Sequence, residues 1–329
     1  MNKYFQLLKN NKYFKTCLVF FTGIFLGMIL FYFFGNSKII NTPNREFGHY
    51  SYINPLLECD SSGSISTELK LFKDQLIDKI STITKGDNKD FVSVYFRDMN
   101  NGPWFGINEK EAFSPASLLK VPVMMSYFKV AELNPDILSK TIKFEKKINE
   151  RVSYYQLDTI KLGKTYTVEQ LIDSMIINSD NDALDLLTSN ALSNQVNLDD
   201  VYKYLSVNFS ADGTMISVKQ YSTFFRILFN ASYLNQEYSE KALGLLDKVN
   251  FSYGLKAELP TNVKISHKFG ERWSLTDTSK QLHDCGIVYY PDHPYLLCIM
   301  TRGIDFDKMS SIIADISKFV YDNVNKQLK

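Results

Sequence analysis

Cysteine, histidine and surplus charge are what this sequence has least of. Its 329 residues include four cysteines (Cys17, Cys59, Cys285 and Cys298) with no C-x-x-C spacing, and four histidines (His49, His267, His283 and His293) with no H-x-x-x-H spacing. The common zinc motifs and a disulfide framework are thereby excluded, and only a single bridge between Cys59 and Cys285 stays open. The 37 basic residues nearly cancel the 36 acidic ones, so there is no electrostatic footprint for a nucleic acid or another polyanion. Nothing in the composition calls for a metal or an organic cofactor.

Long apolar runs are also scarce, with one exception. Residues 1–15 carry Lys3, Lys9, Lys12 and Lys15 and no acidic residue, and Thr16 to Phe34 then continues for 19 residues without a charge. That length spans a bilayer as a helix. The run ends in Phe31, Tyr32, Phe33 and Phe34, without the small-residue pattern that a signal peptidase needs. Residues 16–35 are therefore expected to be an uncleaved single-pass membrane anchor. Residues 1–15 would stay in the cytoplasm and the remainder of the chain would lie outside the cell membrane. Residues 36–63 have linker composition and should become ordered towards Pro55, Leu56 and Leu57.

From Ser64 the apolar residues Leu69, Phe72, Leu76, Ile77 and Ile80 recur at helical spacing up to about Thr84. Phe91–Phe96 and Trp104–Ile107, separated by Asn100, Asn101 and Gly102, predict a hairpin. A helix is expected from about Pro115 to Leu133. Thr167 with Gln170 spells a capping box at the head of another, which ends near Asn178. Further helices are expected after Asn181 and over Val218–Tyr233. After Pro260 come strands at Val263–Phe269, Gly286–Tyr290 and Tyr295–Thr301, with Pro291–Pro294 as a turn, and Lys308–Leu328 closes the chain as an amphipathic helix. Strands at both ends of residues 64–329 predict an α/β fold of the α+β type. One antiparallel sheet would be built from N- and C-terminal strands and flanked by helices, with an all-helical lobe inserted. The α/β lobe would comprise residues 64–133 and 261–329, and the helical lobe residues 134–260. A cleft between lobes is the usual place for a site.

Three polar groups stand in order along that frame. Ser117 and Lys120, in Phe113–Lys120 (FSPASLLK), lie three residues apart and so share a face if a helix starts at Pro115. A serine hydroxyl is a weak nucleophile, and a neighbouring amine can take its proton only if burial lowers the amine's pKa; Leu118, Leu119, Val121, Val123, Met124 and Met125 would supply that burial. Ser179-Asp180-Asn181 falls between two helices, and His267-Lys268-Phe269-Gly270 lies on the first of the late strands.

This order resembles that of the serine penicillin-recognising enzymes, in particular the class A β-lactamase-like branch of the β-lactamase and D-alanyl-D-alanine peptidase superfamily, with its S-x-x-K, S-D-N and K-T-G motifs. The resemblance covers roughly Ser64 to Lys329. It implies that Ser117 is acylated, that Lys120 is the candidate base, that Ser179 relays a proton to the leaving nitrogen and that Lys268 supplies positive potential. It also implies that Asn181 holds the substrate amide and that the backbone N–H groups of Ser117 and Glu271 form the oxyanion hole. The implied substrates are a β-lactam or a peptidoglycan stem peptide ending in D-alanine, with no cofactor.

Two departures qualify the resemblance. Phe269 stands where a hydroxyl residue is usual, and Glu271 beyond Gly270 would add negative charge near a substrate carboxylate. Between Asn181 and Lys268 there is no E-x-x-L-N element, whose glutamate activates the hydrolytic water in class A β-lactamases. Slow deacylation, as in a peptidase or transpeptidase, is therefore expected. A non-catalytic cell-wall or penicillin-binding sensor with the same fold is the alternative.

Overall fold

The computed structural model describes residues 23–25, 50–55, 66–85, 90–100, 102–150, 153–206, 215–274 and 277–327. The chain divides into two compact units, Met1–Thr42 and Pro43–Lys329. Of the first unit only residues 23–25 are described, and they are helical. The expected anchor at 16–35 otherwise lies outside the described residues, among which no helix is long and apolar enough to cross a membrane.

The first described residues of the second unit are 50–55, which lie within the expected linker. The backbone N–H groups of Ser51, Tyr52 and Ile53 all donate to the Glu240 carboxylate, at 2.6–3.2 Å. Ile53 is buried, and Asn54 N donates to Phe229 O at 2.8 Å.

Helix α1 (Thr67–Ile83) follows, its N-terminus capped by Ser66. Strands β1 (Phe91–Asp98) and β2 (Trp104–Ile107) form the expected hairpin. After the short strand β3 (Ala112–Phe113) comes a 3-10 turn, Ala116–Leu119, and then α2 (Lys120–Ala131). The middle of the chain carries the short strands β4 (Thr141–Lys143) and β5 (Thr165–Thr167), which pair with each other. Helices α3 (Val168–Ile177), α4 (Asn181–Ser189) and α5 (Leu198–Leu205) follow. Then come β6 (Ile216–Ser217), paired with β3, and helices α6 (Val218–Phe229) and α7 (Gln236–Asp247). Strands β7 (Ile265–Ser274), β8 (Asp277–Val288) and β9 (Tyr295–Gly303) and helix α8 (Phe306–Gln327) complete the chain.

The main sheet is antiparallel with order β2-β1-β9-β8-β7, so the N-terminal hairpin joins the C-terminal strands as expected. Every residue of β9 from Tyr295 to Thr301 is buried, which requires cover on both faces of the sheet. Two helix pairs provide it: α1 with α8, and α6 with α7. The stretch expected to be a wholly helical insert thus includes one short strand pair, β4 with β5, and also strand β6, which pairs with β3 outside it. Two of its helices also lie on the sheet, α6 against β1, β8 and β9 and α7 against β7. Aromatic edges lock α1 to the hairpin, with the Phe72 ring 5.3 Å from those of both Phe96 and Phe105. The capping box at α3 forms as expected, with Gln170 N donating to Thr167 Oγ1 and Thr167 N to Gln170 Oε1.

Two expectations are corrected. Strand β8 begins about nine residues earlier than its apolar core suggests, because the mostly polar residues 277–285 pair with β7 and, from Lys280 on, with β9 as well. Cys285 bonds to Cys298, which lies directly opposite it in the β8–β9 register, and so is not bridged to Cys59; the latter lies outside the described residues.

Candidate active site

Ser117 sits in the 3-10 turn that joins β3 to α2, not in a regular helical turn as expected. The turn is set by Ala116, whose φ of 49° is left-handed; for a residue with a Cβ this costs roughly 1–2 kcal/mol. Its surroundings hold it in place. Leu118 N donates to Pro115 O at 3.0 Å, and the buried hydroxyl of Tyr221 on α6 donates to Leu118 O at 3.0 Å. Strand β7 passes close by because position 270 is glycine: a Cβ there would lie 3.0 Å from both Pro115 O and Leu118 Cγ. Gly270 thus brings the strand that carries Lys268 and Glu271 against the turn that carries Ser117. Ser117 is 6 % exposed.

Lys120, the first residue of α2, is fully buried and reaches the segment between α3 and α4. Its Nζ donates to Ser179 O, lies 3.1 Å from Ser179 Oγ and donates to Asn181 Oδ1 at 2.9 Å. From β7, Lys268 Nζ donates to the same Ser179 Oγ at 2.8 Å. Two amines from different elements therefore converge on one hydroxyl. Lys268 is fully buried, and loss of hydration brings its pKa down to about 7, against the opposing pull of Asp284 and Glu271. Its Nζ lies 3.3 Å from Phe269 O and 4.3 Å from the centre of the Phe269 ring.

The Ser179 turn is strained and firmly pinned. Ser179 itself is left-handed, with φ 55°. Its neighbour Asp180 caps α4 by accepting from Ala183 N at 3.0 Å, and its other oxygen accepts from Thr159 N, Thr159 Oγ1, Ile160 N and Ser174 Oγ at 2.5–3.1 Å. This carboxylate ties α3, α4 and the 159–160 segment together, and the strain at Ser179 is held by that network.

Asn181 Nδ2 donates to Gln156 Oε1 at 2.6 Å. The Glu271 side chain does not point freely into a cleft. It is 6 % exposed, and its carboxylate accepts from Tyr154 N at 2.7 Å and Tyr155 N at 2.9 Å. Burial raises its pKa, while the N–H groups of residues 154–156 and the Lys120 charge oppose the rise. Phe269 is fully buried with its ring stacked on Phe251, centroids 4.2 Å apart, so the hydroxyl usual at this position is replaced by an aromatic stack. His267, two residues earlier on the strand and also beside the Phe251 ring, meets the buried Asp284 carboxylate through Nδ1 at 2.9 Å.

The structure thus brings Ser117, Lys120, Ser179, Asn181, Lys268, Gly270 and Glu271 into one neighbourhood. The sequence reading did not single out Gln156, the amides of Tyr154 and Tyr155, or the latch around Asp180. The first three lie in a stretch without periodicity, and no local signal marks them. The carboxylates of Asp158, Asp180 and Asp182 cluster within 4.8 Å of one another. However, Lys147 Nζ lies 3.6 Å from both Asp158 and Asp182, and Asp180 is occupied by N–H and O–H donors, so the cluster is already balanced from within the protein.

Residues 75–324 match the family described as the beta-lactamase enzyme family. No curated protein matches the sequence. Among solved structures, a class A β-lactamase representative from Bacteroides cellulosilyticus is similar at 20% identity, with a TM-score of 0.66, over 78% of this chain and 99% of the other. PBP-A is similar at 19% identity and a TM-score of 0.64, over 80% of this chain and 100% of the other. A PBP-A point mutant solved as an acyl-enzyme complex with penicillin G is similar at 19% identity and a TM-score of 0.63, over 78% of this chain and 97% of the other.

Proposed function

The chain belongs to the beta-lactamase enzyme family and is a serine hydrolase of the penicillin-recognising type; from that premise we propose that Ser117 is acylated by a β-lactam or a peptide ending in D-alanine. The observation that carries this reading is the convergence of Lys120 Nζ and Lys268 Nζ on Ser179 Oγ. A hydroxyl held between two amines can accept a hydrogen bond from one and donate to the other, so protons can pass along it.

In the proposed sequence Ser117 Oγ attacks the substrate carbonyl and gives its proton to Lys120. The C–N bond of the tetrahedral intermediate then breaks, and the leaving nitrogen takes a proton delivered from Lys120 through Ser179. The Ser117 and Glu271 backbone N–H groups, brought together by Gly270, are the proposed donors to the oxyanion. Lys268 holds Ser179 in orientation through its N–H donors and, when protonated, favours a substrate carboxylate. Water then cleaves the acyl-serine, returning the hydroxyl and releasing an acid.

The sequence holds no E-x-x-L-N between Asn181 and Lys268, so this last step lacks its usual base and the acyl-enzyme should be long-lived. That favours peptidase or transpeptidase chemistry over efficient β-lactam hydrolysis. With residues 16–35 read as an anchor, the site faces outward from the cell membrane, towards peptidoglycan. One observation favours a penicillin-binding sensor instead: the Phe251–Phe269 stack in place of a carboxylate-binding hydroxyl. Two buried lysines on one serine are more than binding alone needs, since each costs desolvation.

Incubating the full chain with benzylpenicillin and following its intact mass tests the reading. A persistent increase of one penicillin, absent in Ser117→Ala, is expected. Adduct formation that survives Ser117→Ala would sink the assignment, and a short-lived adduct with loss of the antibiotic would mean a β-lactamase with another base.

A further inference from the structure

Residues 153–156 touch both sides of the site. On the β7 side the Glu271 carboxylate gathers the backbone N–H groups of Tyr154 and Tyr155. On the α4 side Gln156 Oε1 accepts from Asn181 Nδ2 at 2.6 Å. The two atoms of the Asn181 amide are thus both used: Oδ1 accepts from Lys120 Nζ, and that fixes Nδ2 as the end that faces Gln156. The carbonyl of Gln156 is chemically the same group as the carbonyl of an acylamido substituent. The segment is further anchored outside the site, where the hydroxyls of Tyr154 and Tyr155 reach the Asp307 carboxylate at 3.1–3.2 Å and the Tyr155 ring meets Phe251 edge-on at 5.1 Å. Gln156 is therefore presented to Asn181 by a loop held at three points.

We propose that Gln156 is a specificity-determining residue that occupies the Asn181 amide donor in place of a substrate carbonyl, with Glu271 as the positioning residue that holds the Gln156 loop in place. The inference rests on the acyl-enzyme reading above. An acyl donor whose amide carbonyl takes the Asn181 N–H that Gln156 holds exchanges one carbonyl for another and gains little from doing so. An acyl donor without an amide leaves the Gln156 contact intact. The native site thus discriminates weakly between acyl donors with and without an amide, and removing the Gln156 carbonyl creates that discrimination, because the part-buried Asn181 N–H then gains a protein-bound partner only from the donor that carries an amide.

The test uses two thioesters of thioglycolate: one with a phenylacetylglycyl acyl group, the other with two methylenes in place of its amide. With either, a bond forms between Ser117 Oγ and the acyl carbon, the C–S bond breaks, and the serine proton leaves with the thiol. Acylation rates are read from intact mass at low donor concentration, and the ratio of the two rates is the quantity of interest. Gln156→Ala should raise the ratio in favour of the amide-bearing donor about fivefold, the effect of one net hydrogen bond. Gln156→Glu, whose carboxylate is the stronger acceptor, should lower it below the native ratio. Any general loss of fold or of Lys120 orientation affects both donors and cancels. Equal changes for the two donors, or an unchanged ratio in both variants, would overturn the proposal while leaving the acyl-enzyme in place. Absence of acylation from either donor in every variant would instead overturn the acyl-enzyme reading and this inference with it.

Discussion

Strand β7 and the segment from 153 to 181 are the two walls of the site, and they hold polar groups in the protein interior by opposite means. On β7, the edge strand of the sheet, the ladder to β8 takes up the backbone groups on one side, and the side chains of His267, Lys268 and Glu271 each find a partner of their own. In the second wall much of the backbone has no ladder, and one carboxylate, Asp180, supplies acceptors for three N–H and two O–H groups. A strand can carry a costly residue because the sheet supports it from its neighbours. A loop of this kind depends on its single latch, and damage to that latch should spread through the wall.

The largest effect is therefore expected from Asp180→Ala. It leaves the N–H groups of Thr159, Ile160 and Ala183 without their acceptor and releases the strained Ser179, on which both lysines depend. A loss of stability on the order of 3–5 kcal/mol by denaturant unfolding, with loss of penicillin labelling, is expected. A variant that keeps native stability would mean that the two walls do not differ in this way.

The next effect concerns charge on the strand wall. The pKa of Lys268 falls from 10.5 to about 7 on folding, so between those values the unfolded chain binds the extra proton and the native protein does not. The group's contribution to stability therefore rises with pH across that window, by up to about 1.4 kcal/mol per pH unit, and below pH 7 the full cost of the buried cation is present. Lys268→Met should flatten this pH dependence, raise thermal stability near pH 6 and slow acylation. Melting curves from pH 6 to 9.5 decide it, and parallel curves for the two proteins would show that Lys268 keeps its proton throughout.

Gly270→Ala probes the approach of β7 to the Ser117 turn and should do least to stability. Its Cβ would press on Pro115 O and Leu118, at a cost of roughly 1–3 kcal/mol, and acylation should suffer more than folding because the turn must shift. Unchanged labelling kinetics would show that the turn tolerates displacement.

The same contrast explains what could be read in advance. Ser117, Lys120, Ser179 and Asn181 stand at the junctions of elements whose periodicity is strong, and hydrophobic spacing placed those junctions; Lys268 lies within a strand that the same spacing marks. The Thr167–Gln170 cap was legible because both halves of the box lie within four residues. The Cys285–Cys298 bond was within reach, since a turn at residues 291–294 sets the register that makes the two residues opposite, but spacing alone does not reveal a register. Gln156 was not legible at all, because its partner is 25 residues away and its neighbours follow no period.

The sequence by itself determined the types and order of the main helices and strands, the positions of the three polar groups and the absence of the E-x-x-L-N glutamate, because these follow from local pattern and residue chemistry. Only the tertiary structure decided the left-handed turns at Ala116 and Ser179, the meeting of two lysines on one hydroxyl, and the Glu271 and Gln156 contacts with the opposite wall. Those depend on how closely distant segments approach, which is set by packing across the whole sheet and its covering helices, and no short stretch of sequence encodes it.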